Sequence, residues 1–162
     1  MAFGGRMAGG AKILAGPGFT GHPEPLAHAL DRTLSGMVAG LEEVADCPSA
    51  AVDLPPGLAP DERLSRFCEA IALMGTPLLE GLAEAFAQAG RESGYSAGRH
   101  LGLWRERADA LIDYLEELAR VHGVAFATMT APLAPEAADA ALTALRRRLH
   151  DMAEQAVRRA LG

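Results

Sequence analysis

The sequence predicts an all-α protein, an antiparallel helical bundle or helical hairpin with one long central helix and a flexible Gly-rich N-terminus. Three observations carry that prediction. Aromatic residues make up only 5% of the chain and alanine roughly a fifth, a composition that favours helix over sheet. Apolar residues return every three or four positions over long stretches, which is the period of a helix face. No stretch alternates apolar and polar residues as a half-buried strand does. At 162 residues, 49% hydrophobic and 22% charged, the chain has the size and core content of one domain.

Residues 1–22 are glycine-rich and weakly patterned, and read as a flexible N-terminal tail. Its opening, MAFGGRMAGGAKILAGPG, lacks the continuous apolar region of a signal peptide, because Lys12, Gly9, Gly10, Gly16 and Pro17 interrupt it. Residues 23–162 are expected to form a single helical domain. Its first helix, about 24–46, follows His22-Pro23-Glu24-Pro25. Leu26, Leu30, Leu34, Met37, Leu41 and Val44 make its apolar stripe. Cys47-Pro48 ends it, and the four prolines of 47–60 predict a linker.

A second helix, about 61–75, opens with Asp61 and Glu62 and places Leu64, Phe67, Cys68, Ile71 and Met74 on one face. Gly75-Thr76-Pro77 predicts a break, with Thr76 and Pro77 as cap and first residue of the next helix. That helix is expected to span about 77–122. Its heptad-like seam runs through Leu79, Leu82, Phe86, Trp104, Leu111, Leu115 and Leu118, with Gly123 just past its end. Residues 124–135 connect to a last helix, about 135–161, striped by Leu142, Leu145, Leu149 and Met152.

Within the long seam, Gly90, Gly94, Gly98 and Gly102 stand four apart in GRESGYSAGRHLG. Four glycines inside a helix cost about 4 kcal/mol relative to alanine, so a helix here requires an offsetting contact. The unbroken phase on both sides favours a helix whose glycine ridge admits a second backbone; a loop between two shorter helices is the competing reading. The Gly-x-x-x repeat with Gly94-Tyr95, followed by the leucine pattern of ADALIDYLEELA, resembles the helical stator proteins of flagellar and type III secretion ATPases. The resemblance covers about 30 residues. It implies an elongated, dimeric helical protein that binds and restrains an ATPase. This chain carries helical patterns before the repeat and little sequence after it.

Neither catalytic nor metal-binding motifs emerge. His22, His28, His100, His122 and His150 form no metal-ligand spacing, and His150 with Glu154 reads as a solvated pair one turn apart. Gly94-Tyr95-Ser96-Ala97-Gly98 satisfies G-x-S-x-G formally, but no strand precedes it as a nucleophile elbow requires. Cys47 and Cys68 show no Cys-x-x-Cys spacing, and Cys68 falls on an apolar face. One disulfide between them stays open, with a reduced cytoplasmic protein as the expectation. The net charge of −6 argues against general nucleic-acid binding. Arg146, Arg147 and Arg148, with Arg158 and Arg159, read as a salt-bridged helix surface. Apolar stretches are interrupted by charge, glycine or proline, so no integral membrane segment is expected.

The expected function is a non-enzymatic helical adaptor or assembly component without a cofactor, acting on a protein partner and associating with itself. Gly90, Gly94, Gly98, Gly102 and Trp104 are its expected interaction residues. A small-molecule-binding or accessory subunit of an enzyme, with a pocket near His100, Trp104 and Met129, is the alternative. A coat protein using amphipathic faces is a third reading, disfavoured by the scarcity of aromatic anchors and lysine.

Overall fold

The computed structural model describes residues 23–43 and 57–162, and every regular element among them is helical. Helix α1 is Glu24–Glu43, α2 Pro60–Ser93, α3 Leu101–Leu118, α4 Val124–Ala127 and α5 Pro135–Leu161. A wide π-type turn, Ala119–Gly123, joins α3 to α4. The expected tail at 1–22, the end of the first helix at 44–46 and residues 47–56 of the expected linker lie outside the described residues.

The long helix is present, but it is not the one the seam predicts. α2 continues through Gly75-Thr76-Pro77 without a break and stops at Ser93, so neither a helix ending at 75 nor one spanning 77–122 exists. At about 1.5 Å per residue α2 is on the order of 50 Å long. Its start follows local chemistry: Pro60 occupies the first turn, where its missing N–H is harmless, and Asp61 and Glu62 face the helix dipole. Pro77 removes one interior hydrogen bond, at a cost of about 3 kcal/mol. It lies on the exposed side, one turn after Leu73, which is 63% exposed, so the carbonyl it orphans is on the watered side. The Thr76 hydroxyl, expected to cap a new helix, donates instead to the Ala72 carbonyl at 3.1 Å within the same helix.

What offsets Gly75 and Pro77 is packing on the opposite side. A Cβ at buried Gly75 would stand 3.1 Å from both Leu115 Cδ1 of α3 and Leu149 Cδ2 of α5. Both leucines are fully buried. Complete burial of two leucines is worth about 3–6 kcal/mol. That is comparable with the roughly 1 kcal/mol that glycine costs plus the proline's 3. The neighbours Ile71, Leu79 and Leu82, also fully buried, tip the balance towards one continuous helix.

The contacts fix the helix directions. α1 runs antiparallel to α2, with Met37 against Gly81 and Pro25 beside Glu92. α3 is also antiparallel to α2, bringing Trp104 to Phe86, Leu115 to Gly75 and Gly123 to Phe67. α5 runs parallel to α2: Arg148 pairs with Glu69, Arg159 with Glu80, and Leu161 lies near Gly90. α2 is therefore the central helix, which explains why its buried residues outnumber those of any other element. Its composition and length would also suit a membrane span, with a mean hydropathy of 1.3 over its most apolar 18 residues. Sequence interruptions had argued otherwise, yet Gly75 and Pro77 interrupt neither the helix nor its hydropathy. Here 44% of that stretch is buried within the bundle.

Gly123 does not terminate a helix as expected. Its φ of −70° is helical, and the chain continues through the wide turn into α4. The reason is steric. A Cβ there would meet Phe67 Cδ1 at 2.8 Å, so glycine is what allows the turn to close onto α2. Phe126 of α4 then stacks obliquely on Phe67 at 5.8 Å, and the Arg63 guanidinium covers the Phe126 ring at 4.3 Å. The same Arg63 donates to the Phe126 carbonyl at 3.1 Å, tying α4 to the start of α2.

Charged pairs line the rims. Arg146 of α5 reaches three carboxylates of α3, Asp109, Asp113 and Glu116, at 2.9, 2.7 and 2.8 Å. Arg107 of α3 pairs with Asp31 of α1. Such exposed pairs are worth about 0–1 kcal/mol each and act mainly on register.

Glycines with and without neighbours respond oppositely to substitution. Gly75→Val should lower stability by about 1–3 kcal/mol through overpacking against Leu115 and Leu149. Gly40→Ala, at a helical position with open space around it, should raise stability by about 0.5–1 kcal/mol. Denaturant unfolding followed by circular dichroism measures both.

Candidate functional site

The residues expected to form the interaction site gather at one end of the bundle, where α1 begins, α2 ends, α3 begins and α5 ends. They do not form a ridge. Gly90 closes the last turns of α2; Gly94 follows Ser93 with φ +80° and donates its N–H to the Gly90 carbonyl at 3.0 Å. This is the left-handed cap that glycine provides at a helix end. Gly98 sits in a short 3₁₀ turn, Ala97–Arg99, and Gly102 in the first turn of α3. The chain thus reverses over residues 94–100. The seam that seemed continuous is two facing stripes of a helical hairpin, because stripes that meet across a turn keep the same spacing as one long stripe.

Only Gly90 of the four is closely approached. A Cβ there would lie 3.0 Å from Ala97 Cβ and 3.1 Å from the Tyr95 carbonyl, so the returning chain passes against the α2 backbone. Gly98 and Gly102 are exposed, with nothing within 4 Å of a Cβ position.

Trp104 is fully buried, its ring 6.0 Å from Phe86, so it is a core residue rather than an interface anchor. On one continuous helix the two would stand about 27 Å apart. Its indole Nε1–H has no hydrogen-bond partner among the described residues. The expected pocket near His100, Trp104 and Met129 is not assembled. His100 packs edge-on against Tyr95 at 5.9 Å at this end, whereas Met129 lies beside Arg63 at the other. The span from Arg63 to Phe86 along α2 is about 35 Å.

Two clefts flank the last turns of α2. On one side, a hollow of about 400 Å³ lies between Tyr95, Ser96, Gly98, Arg91 and the α5 terminus at Leu161. Leu161 is 38% exposed. On the other side a larger cleft, about 560 Å³, opens between α1 and α2. Its floor is alanine (Ala29, Ala85, Ala89) and its rim includes His28, Arg32 and Glu92. Sequence reasoning missed these rim residues. His28 and Arg32 stand one turn apart, a visible spacing, but nothing in the sequence pairs them with the end of α2 rather than with solvent.

Along the outer edge a chain of polar contacts holds α2. Arg91 donates to Glu84 at 2.8 Å and to the side-chain Oε1 of Gln88 at 2.6 Å, and Gln88 Nε2 donates to Glu92 at 2.8 Å. Glu92 is thus held by a neutral amide, while the Arg91 guanidinium is paired with Glu84.

Other candidate chemistry falls away on geometry. Ser96 of the G-x-S-x-G match precedes a 3₁₀ turn between two helices, without the strand and sharp turn that expose a nucleophile. Cys68 is buried between α2 and α5, and burial pushes its thiol up to about 11, which keeps it protonated at neutral pH. Glu154 pairs with Arg105 of α3 rather than with His150, which instead approaches Asp109 at 3.4 Å. The expected i,i+4 pair is lost because α3 offers each residue a polar partner across the helix interface. Among the described residues no group of three or more His, Cys, Asp or Glu is placed to hold a metal ion.

A buried Trp104 has a measurable consequence. Its emission should resist iodide quenching in the folded protein, and Trp104→Ala should cost about 3–5 kcal/mol in denaturant unfolding. Ready quenching, with a cost below about 1 kcal/mol, would place the indole at the surface.

No protein-family model, curated protein or solved structure matches the chain.

Proposed function

We propose that the protein is a non-enzymatic helical adaptor or assembly component whose contact surface is the bundle end around residues 94–102, in place of a continuous glycine ridge. The observation that supports this reading is the 400 Å³ hollow lined by exposed Gly98 and half-exposed Leu161, with exposed Gly102 one turn further along the chain. Exposed glycines beside an apolar terminus leave room for another backbone to approach, as close-packed contacts require. The surrounding bundle supplies a rigid support, since Gly90 locks the reversing chain onto α2.

The partner is taken to be a protein, with a second copy of this chain as the first case. An ATPase or secretion complex, the partner class implied by the stator resemblance, is the case to assay in trans. The working compartment on this reading is the cytoplasm, with α2 as the core helix of a soluble bundle rather than a membrane span.

Gly98→Trp with Gly102→Trp fills the open space without touching the core. Light scattering after size-exclusion chromatography should give a dimer or larger species for the native chain and a monomer for the double variant, with equal helicity in both. A native chain that stays monomeric at high concentration, or a variant that associates equally well, overturns self-association through this surface.

A further inference from the structure

We propose that Met129 is a reversible oxidation site, and that the sulfoxide formed there tightens the Arg63 clasp that holds α4 against α2. The clasp lies at the end of the bundle away from residues 94–102 and does not depend on the contact surface there.

What oxidation does to a methionine depends on where its sulfur sits. A thioether packed in a core turns polar and disrupts its surroundings, whereas an exposed one takes up oxygen without disturbing any packing. Met37, Met74 and Met152 are partly buried against the core. Met129 is 72% exposed, the most open large apolar side chain among the described residues. Exposure supplies reactivity, and a neighbour supplies the consequence.

That neighbour is Arg63. Its Nε and Nη2 donate to the Phe126 carbonyl at 3.3 and 3.1 Å, and its guanidinium lies over the Phe126 ring at 4.3 Å. Nη2 carries a second hydrogen and also reaches the Met129 sulfur, at 4.0 Å. A thioether is a weak acceptor, so this contact adds little while the sulfur is reduced. Thr128 fixes the backbone just before it: its N–H and its hydroxyl both donate to the Val124 carbonyl, at 2.9 and 2.8 Å. The closed last turn of α4 thus delivers Met129 to the guanidinium.

A hydroperoxide supplies the oxygen. A sulfur lone pair attacks one peroxide oxygen, the O–O bond breaks and an S–O bond forms. Sulfur loses two electrons, and the transferred oxygen gives its proton to the departing hydroxide, which leaves as water. The new oxygen stands one bond from the sulfur, within reach of the second Nη2 hydrogen, and accepts from a cation far better than sulfur does. The guanidinium then grips two acceptors of one segment, the Phe126 carbonyl and the Met129 sulfoxide. Lifting α4 from α2 requires breaking both.

The test treats the full-length protein with limiting hydrogen peroxide and locates the added oxygen by peptide mass spectrometry. Met129 should be oxidised before Met37, Met74 and Met152. Native-state amide exchange then reads the clasp: the Thr128 N–H should exchange about fivefold to tenfold more slowly after oxidation. Methionine sulfoxide reductases should restore the original rate. Met129→Gln, whose amide oxygen stands in for that of the sulfoxide, should exchange slowly without peroxide. Met129→Leu should not respond to peroxide, and Arg63→Gln should lose the difference between oxidised and reduced protein. The Met129 variants change only an exposed side chain, so they decide the matter even if Arg63→Gln fails to fold. Prior oxidation of the packed methionines, Thr128 exchange that is unchanged or faster after oxidation, or a Met129→Leu variant that responds as the native chain does would each overturn the proposal. Association through residues 98 and 102 is read by light scattering, so either inference can fail alone.

Discussion

The approach of α3 and α5 to the backbone of α2 at Gly75 is the constraint on which the bundle depends. Leu115 and Leu149 reach the same point from two helices, each 3.1 Å from where a Cβ would stand, so a side chain there would push both leucine tips back. That convergence accounts for the continuity of α2 through a sequence that locally asks for a break. It also sets the depth at which α3 must lie, and hence where the chain reverses before it and where the wide turn at Gly123 closes after it. Glycine recurs at each of these pinch points, Gly75, Gly90 and Gly123, with neighbours 2.8–3.1 Å from the missing Cβ.

The functional end of the molecule follows from the same geometry. Because α2 outlasts the turn that was expected to end it, its last turns stand between α1 on one side and the 94–100 reversal on the other. Two clefts result, one floored by alanine, the other edged by exposed glycines and the α5 terminus. Each is a consequence of small residues where helices pass. Their chemistry differs: the α1 side gathers His28 and Arg32, and the α5 side gathers apolar and backbone surface.

How much of this was legible in the sequence can be judged from particular residues. The all-α class was legible, because composition and a 3.6-residue period are local properties. Pro135 was legible as the first residue of the last helix, a local effect, whereas Pro60, read as the end of the linker, opens α2. The Gly75-Thr76-Pro77 break and the glycine ridge failed for one shared reason. Whether a helix continues through a weak point is decided by what packs on it, and Leu115 and Leu149 are 40 or more residues distant in the chain. The heptad seam was real as a set of buried positions, but Phe86 and Trp104 face each other rather than lying along one rod. Of the expected site residues, Gly94, Gly98 and Gly102 do reach the surface, while Gly90 and Trp104 are buried. His28 and Arg32 stand beside the end of α2 only because the helices meet in space.

Native-state hydrogen exchange discriminates between the two ways of reading the central helix. The structure requires strong protection to run from Ile71 through Leu82 across Gly75-Thr76, with early exchange at residues 94–100. Protection that lapses at 75–76 and continues unbroken from 90 to 102 would contradict it, and would restore the single long helix over 77–122.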